Sequence, residues 1–292
     1  MSTDLYYGID IGGTTVKIGL FSRDDLVNKW EIPTNRRDEG KSIVRDIILS
    51  LPVPAKSAAM GVPGAVQPDG TVNKCINLGW DICRPGAEFE ALTGIPCRVC
   101  NDANAAALGE QWQGGGRGYS SVLMVTLGTG VGAGVVQNGT LLSGCHGAAG
   151  ELGHMCMNPN EPESCSCGNR GCLEQYCSAT GIVNMASRAG LGTQTAKEVF
   201  DLAAAGNIAA EAVVGRACDI LGRGLAAACC VLDPEAIVLG GGVSRAGELL
   251  RAKTEAAFRK YAFHACENTE IHLATLGNDA GIYGAARLAM EQ

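Results

Sequence analysis

His154, Cys165, Cys167 and Cys172 place one imidazole and three thiols within 19 residues. Zinc takes four such donors as a tetrahedron, and a Cys3His set is a closed, structural one. Gly168 and Gly171 stand between the last two thiols and allow the tight turns that gather them. Glu151 precedes the histidine and Glu174 follows the final cysteine, so a metal knot here also fixes two carboxylates. The segment predicts a structural zinc holding a substrate loop. Cys145 and Cys156 lie near enough in sequence to His154 to compete as ligands.

A second kind of chemistry is written in glycine. Asp10-Ile11-Gly12-Gly13-Thr14-Thr15 joins two β-rich stretches, Leu5–Ile11 and Thr15–Phe21, and reads as a hairpin. Glycine N–H groups can approach a phosphate closely, and successive ones make an anion nest. Asp10 adds a carboxylate able to hold Mg2+ through water, and Thr14 and Thr15 add hydroxyls. Gly128-Thr129-Gly130, between the strands Ser121–Leu127 and Gly132–Gln137, offers a matching turn. Together with Gly240-Gly241-Gly242 after the strand Ala236–Leu239, these turns predict nucleotide binding.

The elements that must position these groups alternate along the chain. Helices are predicted over Glu39–Leu51, Ala87–Leu92, Ala103–Trp112, Glu248–Tyr261 and about Ala280 to Met290, and the chain reads as mostly helical from the cysteine segment to Val231. Further strands are predicted at Ser57–Val62, Pro96–Cys100 and Glu270–Thr275. Glycine-turn hairpins in two halves imply a duplicated α/β fold with a cleft between the halves. The glycine-rich break at Gly114–Gly118 marks the crossing. Residues 1–117 with 278–292 are expected to form a small α/β domain, and 118–277 a large one carrying the zinc segment.

Two motifs are set aside. Gly40-Lys41-Ser42 has the tail of a phosphate-binding loop, but Asn35 stands where the first glycine belongs, so it reads as a helix N-terminus. Cys97 and Cys100 have metal or redox spacing, but residues three apart on a strand face opposite sides, so they read as packing.

Composition narrows the class. The chain has 292 residues, a net charge of −7 and no Lys/Arg run longer than two, which argues against a nucleic-acid partner. No apolar run approaches the roughly 20 residues of a membrane span. The start, Met-Ser-Thr-Asp-Leu-Tyr-Tyr, has neither a basic nor an apolar leader segment. Fourteen cysteines without a leader fit a reducing cytoplasm.

Four motifs carry a family resemblance: Asp10-Ile-Gly-Gly-Thr14, Asn101-Asp102-Ala-Asn104, Glu151-Leu-Gly-His154 and Cys165-x-Cys-Gly-x-x-Gly-Cys-x-Glu174. By these the chain resembles the ROK sugar kinases from Tyr7 to its C-terminal helix. Its tail, Val243 to Leu250 and Leu276 to Gly281, is similar to that of the ATP-dependent glucokinases of Gram-positive bacteria. The resemblance implies a two-domain actin-like, hexokinase-like ATPase fold of duplicated ribonuclease H-like domains. It also implies Gly64, Asn77, Asn101, Glu151, His154 and Glu174 as sugar contacts, and a homodimer. Asp102 ends a strand and opens a helix, and it is the expected base for a sugar hydroxyl. ATP with Mg2+ is the expected donor, polyphosphate staying open. Glucose is favoured over N-acetylglucosamine, N-acetylmannosamine, fructose or allose. A non-catalytic sugar-sensing relative would need a DNA-binding segment for which a first strand near Leu5 leaves no room.

Overall fold

The computed structural model describes residues 4–291; residues 1–3 of the start read above for a leader lie outside the described residues. β1 (Leu5–Ile11), β2 (Thr15–Ser22) and β3 (Asp25–Pro33) are followed by α1 (Ile43–Leu49), β4 (Ser57–Val62), α2 (Pro85–Thr93), β5 (Cys97–Asn101) and α3 (Asp102–Gln113). Next come β6 (Val122–Leu127), β7 (Val131–Gln137) and β8 (Thr140–Leu142), then α4 (Glu174–Cys177), α5 (Ala179–Arg188), α6 (Ala196–Ala204) and α7 (Ile208–Leu232). β9 (Ala236–Gly240), α8 (Glu248–Tyr261), β10 (Glu270–Leu273) and α9 (Ala280–Met290) complete the chain. Among the described residues, no helix is long and apolar enough to cross a membrane.

The strands form two five-stranded sheets, ordered β3-β2-β1-β4-β5 and β10-β9-β6-β7-β8. Two compact units result. One holds the residues up to Gly118, Gly134–Gly150 and the residues from Asn278 onward; the other holds Tyr119–Ala133 and Glu151–Gly277. The sequence reading kept 118–277 together, whereas Gly134–Gly150 groups with the first unit. A Cβ on Gly134 would lie 2.6 Å from the Ala107 Cβ, so the backbone of β7 meets α3 at that residue.

Strand parity organises the first unit. On β1, Tyr7, Ile9 and Ile11 are fully buried and share a core with Ile43 and Ile47 of α1 and Phe89 of α2. Side chains alternate along a strand, so Gly8 and Asp10 face the other way, toward α9. Gly8 lacks a side chain because α9 passes where one would be; its Cβ would overlap the Ile282 carbonyl. Gly284 of α9 is pressed on Ala105 of α3 in the same fashion. On that second face of the sheet, α3 and α9 therefore pack backbone to backbone.

β3 and β8 were not expected. β3 carries Asp25, Asn28, Lys29 and Glu31 on an edge strand, which polar side chains protect from pairing with other chains, and β8 spans only three residues. The helix expected over Glu39–Leu51 contracts to α1 because Glu39 and Gly40 both take positive φ, 61° and 72°. The Gly40 carbonyl instead accepts the Trp80 indole N–H at 2.8 Å. Lys41 pairs with Glu39 at 2.6 Å, so the glycine-lysine-serine triplet serves a helix entry. Burial pushes the Cys97 and Cys100 thiols up, Cys100 to about 12, which suits packing rather than redox chemistry.

Gly284→Ala should lower stability by about 1–3 kcal/mol, the usual cost of overpacking. A reduced urea midpoint with an unchanged slope is the expected result.

Candidate functional site

In the first unit the hairpin folded at Gly12–Thr14 sets Asp10 directly across from Lys17. Directly opposed residues project to the same side of a sheet. The Lys17 ammonium accordingly lies 3.8 Å from the Asp10 carboxylate and donates to the Asn278 carbonyl at 3.0 Å. Burial raises the Asp10 carboxyl to about 6; Lys17 opposes that rise and the nearby negative charge of Asp102 adds to it. Asp10, Lys17 and Asp102 thus share one electrostatic neighbourhood. α9 closes it, since a Cβ on Gly281 would stand 2.7 Å from the Asp10 carboxyl carbon.

Asp102 opens α3, but the cap of that helix comes from its neighbour. The Asn101 side-chain oxygen accepts the Ala103 and Asn104 amides at 2.9 and 3.2 Å, and its amide donates to the Gly64 carbonyl at 3.0 Å. The Asp102 carboxylate accepts the Ala103 amide at 2.8 Å and remains exposed. Asn101 therefore fixes both the helix entry and the Gly64 loop. The Asn77 carbonyl lies 3.4 Å from where a Cβ on Gly13 would be, so Asn77 stands against the first hairpin tip. Gly64, Asn77, Asn101, Asp102 and the Asp10–Thr15 hairpin all fall within this one unit. One detail differs from expectation: the Gly12 amide closes its own turn by donating to the Thr15 carbonyl at 3.0 Å.

In the second unit the donor atoms of His154, Cys165, Cys167 and Cys172 lie within 4.8 Å of one another. Cys167 Sγ is 3.7 Å from Cys172 Sγ, and His154 Nδ1 is 3.9 Å from Cys165 Sγ. A zinc tetrahedron with ordinary bond lengths has edges of roughly 3.6–3.8 Å, so the four donors fit such an ion. Cys156 is not one of them; its thiol lies 3.4 Å from the Arg170 carbonyl, and its backbone pairs with that of Cys172 in an isolated antiparallel β-bridge. Cys145 belongs to the other unit. Gly171, at φ 70°, packs so closely on the Asn158 carbonyl that no side chain fits. Burial holds Cys165 above its ordinary value and Cys172 at about 12, whereas the Asn169 backbone lowers Cys167.

This knot carries the predicted carboxylates. Leu152–His154 form a single 3-10 turn, with His154 Nε2 3.9 Å from Glu151 Oε2. One ring nitrogen faces the thiols and the other faces Glu151. Glu174 opens α4, and its Oε1 accepts the Ser166 hydroxyl at 2.9 Å and the Cys165 thiol at 3.2 Å. Its Oε2 would be 2.6 Å from a Cβ on Gly130. The second glycine hairpin therefore lies against Glu174.

The same hairpin is tied to α5. The Gly128 and Thr129 carbonyls accept the Ala179 amide at 2.8 Å and the Thr180 hydroxyl at 3.0 Å, while the Gly128 amide donates to the Gly130 carbonyl. Gly241 packs on the Leu127 backbone, its Cβ position 2.6 Å from that carbonyl. Beside it, Ala179, Thr195, Phe200, Gly242 and Val243 line a mainly apolar cavity of about 360 Å3. Gly128, Thr129, Gly130, Gly241 and Gly242 thus gather around one end of α5. Lys17 and Ser166 were missed by sequence reasoning. The hairpin register carried the signal for Lys17; no signal marked Ser166, whose role depends on the fold of the metal loop.

Two α/β units, each with a glycine-turned hairpin beside carboxylates, define the class of two-sheet, hexokinase-like phosphotransferases. The chain belongs to the ROK family, which it matches over residues 6–292. It is 41% identical to a glucokinase of Halalkalibacterium halodurans, covering 100% of this chain and 97% of that one. Its structure is similar to a ROK hexokinase from Thermus thermophilus, at 33% identity and a TM-score of 0.89 over 98% of each chain. It is also similar to a ROK glucokinase from Streptomyces griseus in complex with glucose and AMPPNP, at 30% identity and a TM-score of 0.79, covering 99% and 100%.

A carboxyl held above its ordinary value costs stability when ionised, and that cost fades as pH falls through about 6. In metal-free protein, Asp10→Asn should therefore raise stability on the order of 2 kcal/mol at pH 7.5. The gain should shrink toward zero near pH 4, as read by urea denaturation at the two pH values.

Proposed function

We propose that this chain is a glucokinase, transferring the γ-phosphoryl group of ATP to the 6-hydroxyl of glucose. The observation that carries the reading is the Asp10–Lys17–Asp102 neighbourhood in a chain belonging to the ROK family. Phosphoryl transfer needs a proton acceptor at the attacking oxygen and positive charge at the transferring group. Asp102 is exposed at a helix entry fixed by Asn101 and accepts the hydroxyl proton. Asp10 offers a hard oxygen to Mg2+, which when bound neutralises phosphate charge. Lys17, anchored by Asp10 and the Asn278 carbonyl, supplies a fixed cation beside it.

In the second unit Glu151, His154 and Glu174 bind sugar hydroxyls, each of which both donates and accepts. In the first unit, Gly64, Asn77 and Asn101 are the residues assigned to sugar contacts. The phosphates lie on the hairpins at Gly12–Thr15 and Gly128–Gly130, and the adenosine in the cavity beside Gly242. His154, Cys165, Cys167 and Cys172 would hold zinc as a closed set of four protein ligands, leaving no open position for chemistry. Its part is to hold the His154 ring, with Nδ1 toward the thiols, so that Nε2 faces the sugar. The cysteine-rich composition suits a reducing cytoplasm. The active form is a homodimer, which light scattering on the purified protein would test.

Asp102→Asn should still bind glucose by calorimetry while losing at least about 100-fold in kcat, the typical worth of a positioned base. Turnover near that of the parent would overturn the assignment. Elemental analysis should find about one zinc per chain. Cys172→Ser should lose that metal, melt earlier and raise the glucose KM.

A further inference from the structure

Glu174 is the residue through which the metal loop and the second glycine hairpin meet. Its Oε1 has two side-chain donors, the Ser166 hydroxyl at 2.9 Å and the Cys165 thiol at 3.2 Å. Its Oε2 faces the Val131 amide at 3.4 Å, too long for a strong bond. The two donors to Oε1 are not equivalent. Cys165 is one of the four clustered metal-ligand candidates, and a cysteine bound to a metal presents a thiolate with no proton to give. Once the metal is held, Cys165 places negative sulfur beside a carboxylate instead of a hydrogen bond. Ser166 is then the side-chain donor left on Oε1 among the described residues.

We propose that Ser166 is the positioning residue of the sugar site: its hydroxyl holds Glu174 in the metal-loaded protein and so sets the carboxylate that meets the sugar. This rests on the reading that Glu174 binds the sugar. Ser166, Glu174, Thr129 and Gly130 line one cavity of about 360 Å3, so the hydroxyl opens onto the same space as the carboxylate it holds. Ser166 sits between two ligands, Cys165 and Cys167, and metal binding fixes its backbone on both sides. A serine there converts a rigid metal loop into a rigid hydrogen-bond donor. The Gly130 backbone limits Glu174 from the other side, since any side chain on Gly130 would take the place of Oε2. The carboxylate is thus held between a hydroxyl and a backbone wall. Its orientation depends on Ser166 more than on its own rotamer preference.

The test compares Ser166→Ala and Ser166→Thr with the parent, as zinc-loaded full-length protein. Hydrogen bonds to charged groups are strong enough that losing one gives roughly a tenfold change in binding. Ser166→Ala should therefore raise the glucose KM and the glucose Kd, measured by calorimetry without ATP, about tenfold. Its kcat at saturating glucose and its zinc content should stay those of the parent, and Ser166→Thr, which keeps the hydroxyl, should restore the affinity. Parent-like affinity in Ser166→Ala overturns the proposal, as does loss of zinc from that variant, which would make the residue part of the metal fold. Glu174→Gln separates the two levels of reading. If it binds glucose as well as the parent, the sugar assignment itself fails and the role of Ser166 falls with it. If it binds weakly while Ser166→Ala is unaffected, only the role of Ser166 fails.

Discussion

The contact on which the first unit depends has no side chain in it. α9 lies on β1 at Gly8 and on α3 at Gly284, closely enough that a methyl group at either point overlaps a carbonyl. Helix backbones normally stay 8–10 Å apart with side chains between them, and here glycine removes that spacer. α3 begins at Asp102, and α9 begins beside Asp10 at Gly281. The two acids are therefore held on rigid elements that cannot slide apart without losing that contact. The raised Asp10 carboxyl is a consequence, because α9 shuts water out of its surroundings.

The second unit reaches the same end by other means. Its three clustered cysteines lie in a segment with little regular structure between the 3-10 turn at Leu152–His154 and α4, which opens at Glu174. A loop of that kind has no ladder or helix to fix it, and ordering it carries an entropic cost. Four clustered donors let a metal ion meet that cost. The first unit holds its acids with glycine-packed helices, while the second gathers its carboxylates around a His/Cys cluster able to hold a metal.

Much of this was legible in the chain. β1, α8 and α9 fall on the stretches that periodicity marks, and the Cys3His cluster is assembled as its spacing suggested. Those signals are local: a strand alternates, a helix repeats, and a metal site gathers neighbours in sequence. β3 was illegible because an edge strand has polar residues where a buried one has apolar residues, and β8 because three residues show no period. The shortening of α1 was hidden in Glu39 and Gly40, which both take positive φ, while the Gly40 carbonyl accepts the Trp80 indole N–H.

The sequence by itself determined which chemistry is present: two glycine hairpins, an acid at the start of a helix, and a metal-binding run flanked by glutamates. It did so because donor type and glycine placement are properties of single positions. Tertiary structure decided which groups act together. Lys17 becomes the partner of Asp10 only when the hairpin register is set, and Ser166 meets Glu174 only when the metal loop closes. The cap of α3 comes from Asn101, and the Asp102 carboxylate at the helix entry is exposed. Each of these depends on distances across the fold, which no spacing along the chain specifies.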